Sequence, residues 1–201
     1  MTVPLTLPMF LTASRLVLAP VYFILYQLAG RGMTLPAVGI MVAFVLIEAS
    51  DFFDGHLARK LKLESELGKV LDPLADSLAR LTYFICFAGS GIMPVWILLV
   101  LVYRDIVVSY IRVLFSRGKV LLSARISGKI KAWVYAFAGG AGTLVFTVKT
   151  LDILTEIREG LDIFAFVLFL AAAVVAVWSL GDYIFALLIA RLHEKKPQQM
   201  S

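Results

Sequence analysis

Six apolar runs, at roughly 8–29, 35–57, 70–89, 94–115, 130–149 and 161–190, fill most of this 201-residue chain. Each is long enough to cross a bilayer as a helix, which takes about 20 residues. A hydrocarbon interior offers no water to unpaired backbone groups, so only helices or a closed barrel can span it. The runs are continuous and not alternating, which selects helices. Six crossings leave no room for a domain outside the membrane. The expected fold is an all-α integral membrane protein, a bundle of six transmembrane helices made by one domain over residues 1–201. Composition agrees: 61% hydrophobic residues, 16% charged residues and a mean hydropathy of +0.92 exclude a soluble domain.

The breaks between the runs set the orientation. Bases gather at Arg59 to Lys69, Arg117 to Lys131 and Arg191 to Lys196, whereas the alternate breaks at Gly30-Arg31-Gly32, Gly89-Ser90-Gly91 and 152–162 hold few. By the positive-inside rule the basic clusters face the cytoplasm. A multi-pass protein of the cell's inner (cytoplasmic) membrane, with both ends inside, satisfies every cluster. The net charge of +5 follows from this placement, and no nucleic-acid partner is expected. The start, MTVPLTLPMF, lacks the basic residues and cleavage site of a signal peptide, so the first run is expected to stay. Lone Cys86 lies in an apolar run and reads as packing, with no disulfide or redox chemistry.

One stretch breaks the pattern. Residues 51–76, DFFDGHLARKLKLESELGKVLDPLAD, hold six acids and four bases out of 33 charged residues in the whole chain. Residues three or four apart share a helix face. Asp51 and Asp54 therefore project together from the end of the second helix, and Asp72 and Asp76 from the start of the third. Antiparallel neighbours bring that end beside that start, so four carboxylates can converge at the cytoplasmic edge. An acid at membrane depth costs about 2.5–3.5 kcal/mol, and packed carboxylates repel one another. A divalent cation answers both costs. An all-oxygen set without His or Cys favours Mg²⁺ or Mn²⁺, and Mg²⁺ is typically shared with substrate phosphates. Gly55 permits close backbone approach, Ala58 keeps the same face open one turn on, and Arg59 is suited to phosphate. The competing reading is an interfacial loop of solvated charges, which requires no fixed spacing. His56, without a partner at ligand spacing, reads as a loop residue, and Trp96, Trp133 and Trp178 as interface anchors or packing.

The spacing Asp51-x₂-Asp54-Gly55-x₂-Ala58-Arg59-x₈-Gly68-x₃-Asp72-x₃-Asp76 resembles the signature of the CDP-alcohol phosphatidyltransferase family, with all eight specified residues present. Thr12-x₂-Arg15, Arg104-Asp105 through Arg112, Gly128-Lys129-x-Lys131 and Asp182-Tyr183 are similar to elements of its bacterial phosphatidylglycerophosphate synthase branch. The resemblance implies a six-helix membrane enzyme, usually a homodimer, that displaces CMP from CDP-diacylglycerol with a small alcohol. It further implies that Asp51, Asp54, Asp72 and Asp76 hold two metal ions, with Asp76 also the general base, and that Gly55, Ala58, Arg59 and Gly68 line the CDP site. The chain departs from that branch at Ser77, where Lys is usual, at Ala132, where Thr is common, and at Pro8-Met9; Glu48 is an additional acid one turn before Asp51.

Arg104 and Arg112 are eight apart, close to two helical turns, and so point one way. Arginines inside a membrane are costly and usually functional. With Lys129 and Lys131 at the start of the next helix they can form a pocket for a phosphate on the acceptor. The alternative for Arg104 is a structural ion pair involving Asp105, and for Lys131 simple obedience to the positive-inside rule. Arg15 either contacts phosphate or snorkels to the headgroups. The resemblance to the phosphatidylglycerophosphate synthase branch implies glycerol 3-phosphate as the leading acceptor, with inositol phosphate, choline and serine as alternatives. A divalent-cation transporter is the rival class, but its site belongs near the bilayer midplane on broken helices, whereas these acids straddle a junction beside a basic cluster.

Overall fold

The computed structural model describes residues 7–61, 66–116 and 126–195, and side chains at 10, 12–51, 73–111 and 126–189. It contains six α-helices and, among the described residues, no strand: α1 Leu7–Ala29, α2 Thr34–Leu61, α3 Glu66–Gly89, α4 Val95–Ser116, α5 Ile126–Leu151 and α6 Arg158–Lys195. These are the six expected elements, but several extend into polar sequence. α2 continues past residue 57 to Leu61, α3 begins at Glu66 and α5 at Ile126. Hydropathy marks where side chains turn polar. A helix satisfies its own backbone and can run on past that point. The acidic stretch thus sits on two helix ends.

α1, α2, α5 and α6 are long and apolar enough to cross a membrane on composition alone. α3 and α4, with 24 and 22 residues, match them in length but carry Asp72, Asp76 and Arg80, and Arg104, Asp105 and Arg112. Of these charges, Arg80, Arg104 and Asp105 are buried inside the bundle. The outward surfaces are apolar, with Phe164, Val167, Val174, Val177 and Trp178 exposed along α6, as lipid contact requires.

α1 packs against α2 and α3, α5 against α6 and α2, and α4 chiefly against α6. Between them lies an aromatic core. Tyr26 stacks on Phe146 with ring centroids 3.6 Å apart, and Tyr83 meets Phe84 edge-on at 4.7 Å. Two buried tyrosine hydroxyls pair across the bundle: Tyr22 with Thr143 Oγ1 at 3.0 Å and Tyr26 with Ser90 Oγ at 2.7 Å. Glycines on α5 make room for the rings. A Cβ on Gly142 would lie 2.5 Å from Phe87 Cε2, and one on Gly139 would lie 2.8 Å from both Phe44 and Tyr83. In a bilayer, where lipid is as apolar as leucine, close approach of this kind is a main source of helix association.

Candidate active site

A cavity of about 290 Å³ opens among the polar parts of the helices. Two chains of charged side chains form its opposing walls.

The first wall comes from α1, α2 and α3. Asp51 accepts from Arg15 Nη1 at 2.7 Å through Oδ1 and from Arg80 Nη2 at 2.8 Å through Oδ2. Arg80 Nε lies 2.9 Å from Asp76 Oδ1. The order is Arg15, Asp51, Arg80, Asp76, with each arginine buried (1% and 4% exposed) and each carboxylate near one-third exposed (33% and 28%). One turn deeper, Tyr83 donates to Glu48 Oε1 at 3.2 Å.

The second wall comes from α4 and α5, backed by α6. Asp105 Oδ1 accepts from Lys131 Nζ at 2.7 Å and from Arg104 Nη1 at 3.0 Å. Arg104 Nη2 donates to the fully buried Ser179 Oγ of α6 at 2.6 Å. The guanidinium also lies over the Tyr183 ring, one turn on from Ser179, with 5.8 Å between Cζ and the ring centre. α5 and α6 are tied again where Ser127 donates to Asp182 Oδ2 at 2.7 Å.

The two walls differ in charge. The first balances two arginines with two carboxylates. The second holds two cations against one carboxylate, all at most 8% exposed. Charge-assisted hydrogen bonds to a planar or tetrahedral oxyanion suit such a surface. Ser77 and Ala132, the positions that depart from the phosphatidylglycerophosphate synthase pattern, both line the space between the walls.

The expected residues fall into three groups. Asp51, Asp76, Arg104 and Lys131 are gathered around one cavity. Lys129 is exposed and does not line it. Asp54, Gly55, Ala58, Arg59, Gly68, Asp72 and Arg112 lie on the described backbone of α2, α3 and α4, but their side chains, and that of His56, lie outside the described residues. Arg104 lines the cavity and also makes the ion pair with Asp105 that is its alternative; Lys131, whose alternative is the positive-inside rule, lines the cavity and pairs with Asp105 as well. Arg15, read as a phosphate contact or a snorkelling residue, is buried against Asp51 and lines the cavity.

Arg80 and Ser179 were not anticipated. Arg80 follows Asp76 by four residues on a helix, the spacing of a same-face ion pair, so the sequence carried a signal for it. Ser179 carried none, because its role depends on how α4 lies against α6.

The donor set fits a hard divalent cation. Asp51 and Asp76 offer oxygen only, remain part-exposed toward the cavity, and already converge on one cation, the Arg80 guanidinium. Asp54 and Asp72 sit three residues after Asp51 and four before Asp76 on the same helices. Among the described residues alone, no group of three or more acidic, His or Cys side chains is assembled.

Comparison with known proteins converges on the reading of the motif. A "CDP-diacylglycerol--glycerol-3-phosphate 3-phosphatidyltransferase" of Treponema pallidum is 33% identical over 63% of this chain and 62% of its own length. The chain thus spans under two thirds of that relative. The Bacillus subtilis protein of the same name is 28% identical over 67% of this chain and 75% of its own. A "Putative cardiolipin synthase" of Mycobacterium tuberculosis is 34% identical over 70% and 65%. The model of the CDP-alcohol phosphatidyltransferase family matches residues 5–178, and with the motif on the facing ends of α2 and α3 the chain belongs to that family.

Proposed function

We propose that this chain transfers a phosphatidyl group from CDP-diacylglycerol to the hydroxyl of glycerol 3-phosphate, releasing CMP and forming phosphatidylglycerophosphate. The observation that carries this reading is the two-walled cavity, with a carboxylate wall holding Asp51 and Asp76 opposite a cation-rich wall of Arg104 and Lys131. A nucleotide diphosphate fits the first and a phosphorylated alcohol the second. The names of the Treponema and Bacillus relatives support the acceptor.

In this scheme the acceptor oxygen forms a bond to the β-phosphorus of CDP-diacylglycerol, the bond from that phosphorus to the bridging oxygen breaks, and CMP departs. Asp76 takes the hydroxyl proton. Two ions, Mg²⁺ or Mn²⁺, held by Asp51, Asp54, Asp72 and Asp76, would supply charge stabilisation for the leaving and transferred phosphates. Gly55, Ala58, Arg59 and Gly68 accommodate the CDP moiety. Arg104, Lys131 and Arg112 orient the acceptor phosphate, and Asp105 and Ser179 hold Arg104 in place. Lys129, exposed on the same turn of α5, serves as an entry contact. The enzyme works as a homodimer in the inner membrane with the cavity facing the cytoplasm.

The test is CMP release by purified protein from CDP-diacylglycerol against glycerol 3-phosphate, inositol phosphate, glycerol, choline, serine and a phospholipid alcohol. Glycerol 3-phosphate should be the efficient acceptor. A chelator should stop turnover and Mg²⁺ or Mn²⁺ restore it, while Asp51→Asn and Asp76→Asn should be folded and inactive. Efficient use of an unphosphorylated alcohol would overturn the acceptor assignment. Full activity in a chelator would overturn the ions.

A further inference from the structure

Arg80 occupies the centre of the carboxylate wall. Its guanidinium is only 4% exposed and bridges Asp51 Oδ2 at 2.8 Å and Asp76 Oδ1 at 2.9 Å, joining α2 to α3. Two carboxylates this close repel one another unless a cation lies between them. Arg15 holds the far oxygen of Asp51. With Arg15 and Arg80 present, the four-residue chain is electrically balanced before any ion arrives. A divalent cation held by Asp51 and Asp76 therefore binds beside a fixed positive charge, on carboxylates that a guanidinium already contacts.

Resting on the reading of Asp51 and Asp76 as cation ligands, we propose that Arg80 is the built-in counter-ion of that site. It is a positioning residue that keeps the two carboxylates together when no divalent ion is bound, and its charge weakens the hold on the ion when one is. Stability and affinity are linked through a thermodynamic cycle. If loss of Arg80 harms the ion-free protein more than the ion-bound one, affinity for the ion must rise by the corresponding factor. The consequence for turnover is an ion held loosely enough to exchange with the nucleotide product, in a site that does not fall apart between cycles.

The experiment uses the full chain in detergent, as Arg80→Met, which keeps the stem and removes the charge, and Arg80→Lys, which keeps the charge. Thermal unfolding is followed without divalent ions and in saturating Mg²⁺, and Mg²⁺ and Mn²⁺ binding is measured by titration calorimetry. Arg80→Met should lose much more stability without the ion than with it, and should bind Mg²⁺ about tenfold more tightly than the parent. Arg80→Lys should stay close to the parent in both states. A variant that folds only when purified with Mg²⁺ would be the strong form of the expected result. Equal loss with and without the ion, unchanged or weaker binding, or failure of Arg80→Met to fold in either condition would reduce Arg80 to a structural tie and overturn the proposal. If the parent protein itself binds neither Mg²⁺ nor Mn²⁺, the cation reading of the acids fails and takes the counter-ion with it.

Discussion

Replacing Asp105 with Ala strands a cation in the bundle, and the size of the effect follows from the geometry. Asp105 Oδ1 accepts from both Lys131 Nζ and Arg104 Nη1, and the three side chains are 4%, 8% and 5% exposed, so water cannot take over. Arg104 keeps Ser179, whereas Lys131 loses the carboxylate that balances it. Removing one partner of a buried pair costs about 3–5 kcal/mol, mostly because the other charge is left uncompensated. Adding Lys131→Met to Asp105→Ala removes the stranded charge. What then remains is the lost charged hydrogen bond to Arg104, about 1.5–3 kcal/mol. The double variant should therefore unfold at a higher temperature than the single Asp105→Ala variant, measured by thermal unfolding in the same detergent. Losses that simply add, or an Asp105→Ala cost below about 1 kcal/mol, would show that the wall is solvated and that its charges do not depend on one another.

Two further expectations concern other parts of the molecule. Gly142→Ala drives a methyl group into the buried Phe87 ring and should lower stability by about 1–3 kcal/mol, while Gly181→Ala, with nothing within 4 Å of the added atom, should not, and thermal unfolding of the two compares them directly. Ser179→Ala removes the 2.6 Å contact that holds Arg104 Nη2 and should raise the acceptor KM by about tenfold with little change in the KM for CDP-diacylglycerol; equal effects on both substrates would indicate a general packing defect.

Fold class was legible because the bilayer imposes one simple constraint, and six long apolar runs satisfy it in one way. The meeting of Asp51 and Asp76 at one cavity was legible for a related reason: acids placed three and four apart on helix ends are costly without a purpose, so their spacing carries information. Arg104 and Lys131 were found as pocket candidates, and Asp105 was read as part of an ion pair between helices, but neighbours in sequence do not reveal that Lys131 is the residue that reaches across from α5. Arg80 was passed over inside a run judged by its average hydropathy, although its spacing from Asp76 was available. Ser179 is different in kind. A serine on an apolar helix has no periodic signal, and only the approach of α4 to α6 makes it a ligand for a guanidinium.

The aromatic core has a consequence for the membrane itself. A protein that keeps a charged cavity inside a membrane-spanning bundle is a potential leak, and an elementary charge crossing the full potential gains about 2.3 kcal/mol per 100 mV. Along α3, Arg80 is followed at once by Tyr83, Phe84 and Phe87, all fully buried. Tyr83 abuts Tyr22, and Phe87 adjoins Tyr26, which stacks on Phe146. The hydroxyls of Tyr22 and Tyr26 pair with Thr143 and Ser90, which donate in turn to the carbonyls of Gly139 and Phe87, so each short run ends on backbone. Among the described residues the rings thus act as an insulator between the charged cavity and the Ser90 turn, keeping the charges of the cavity apart from that end of the bundle.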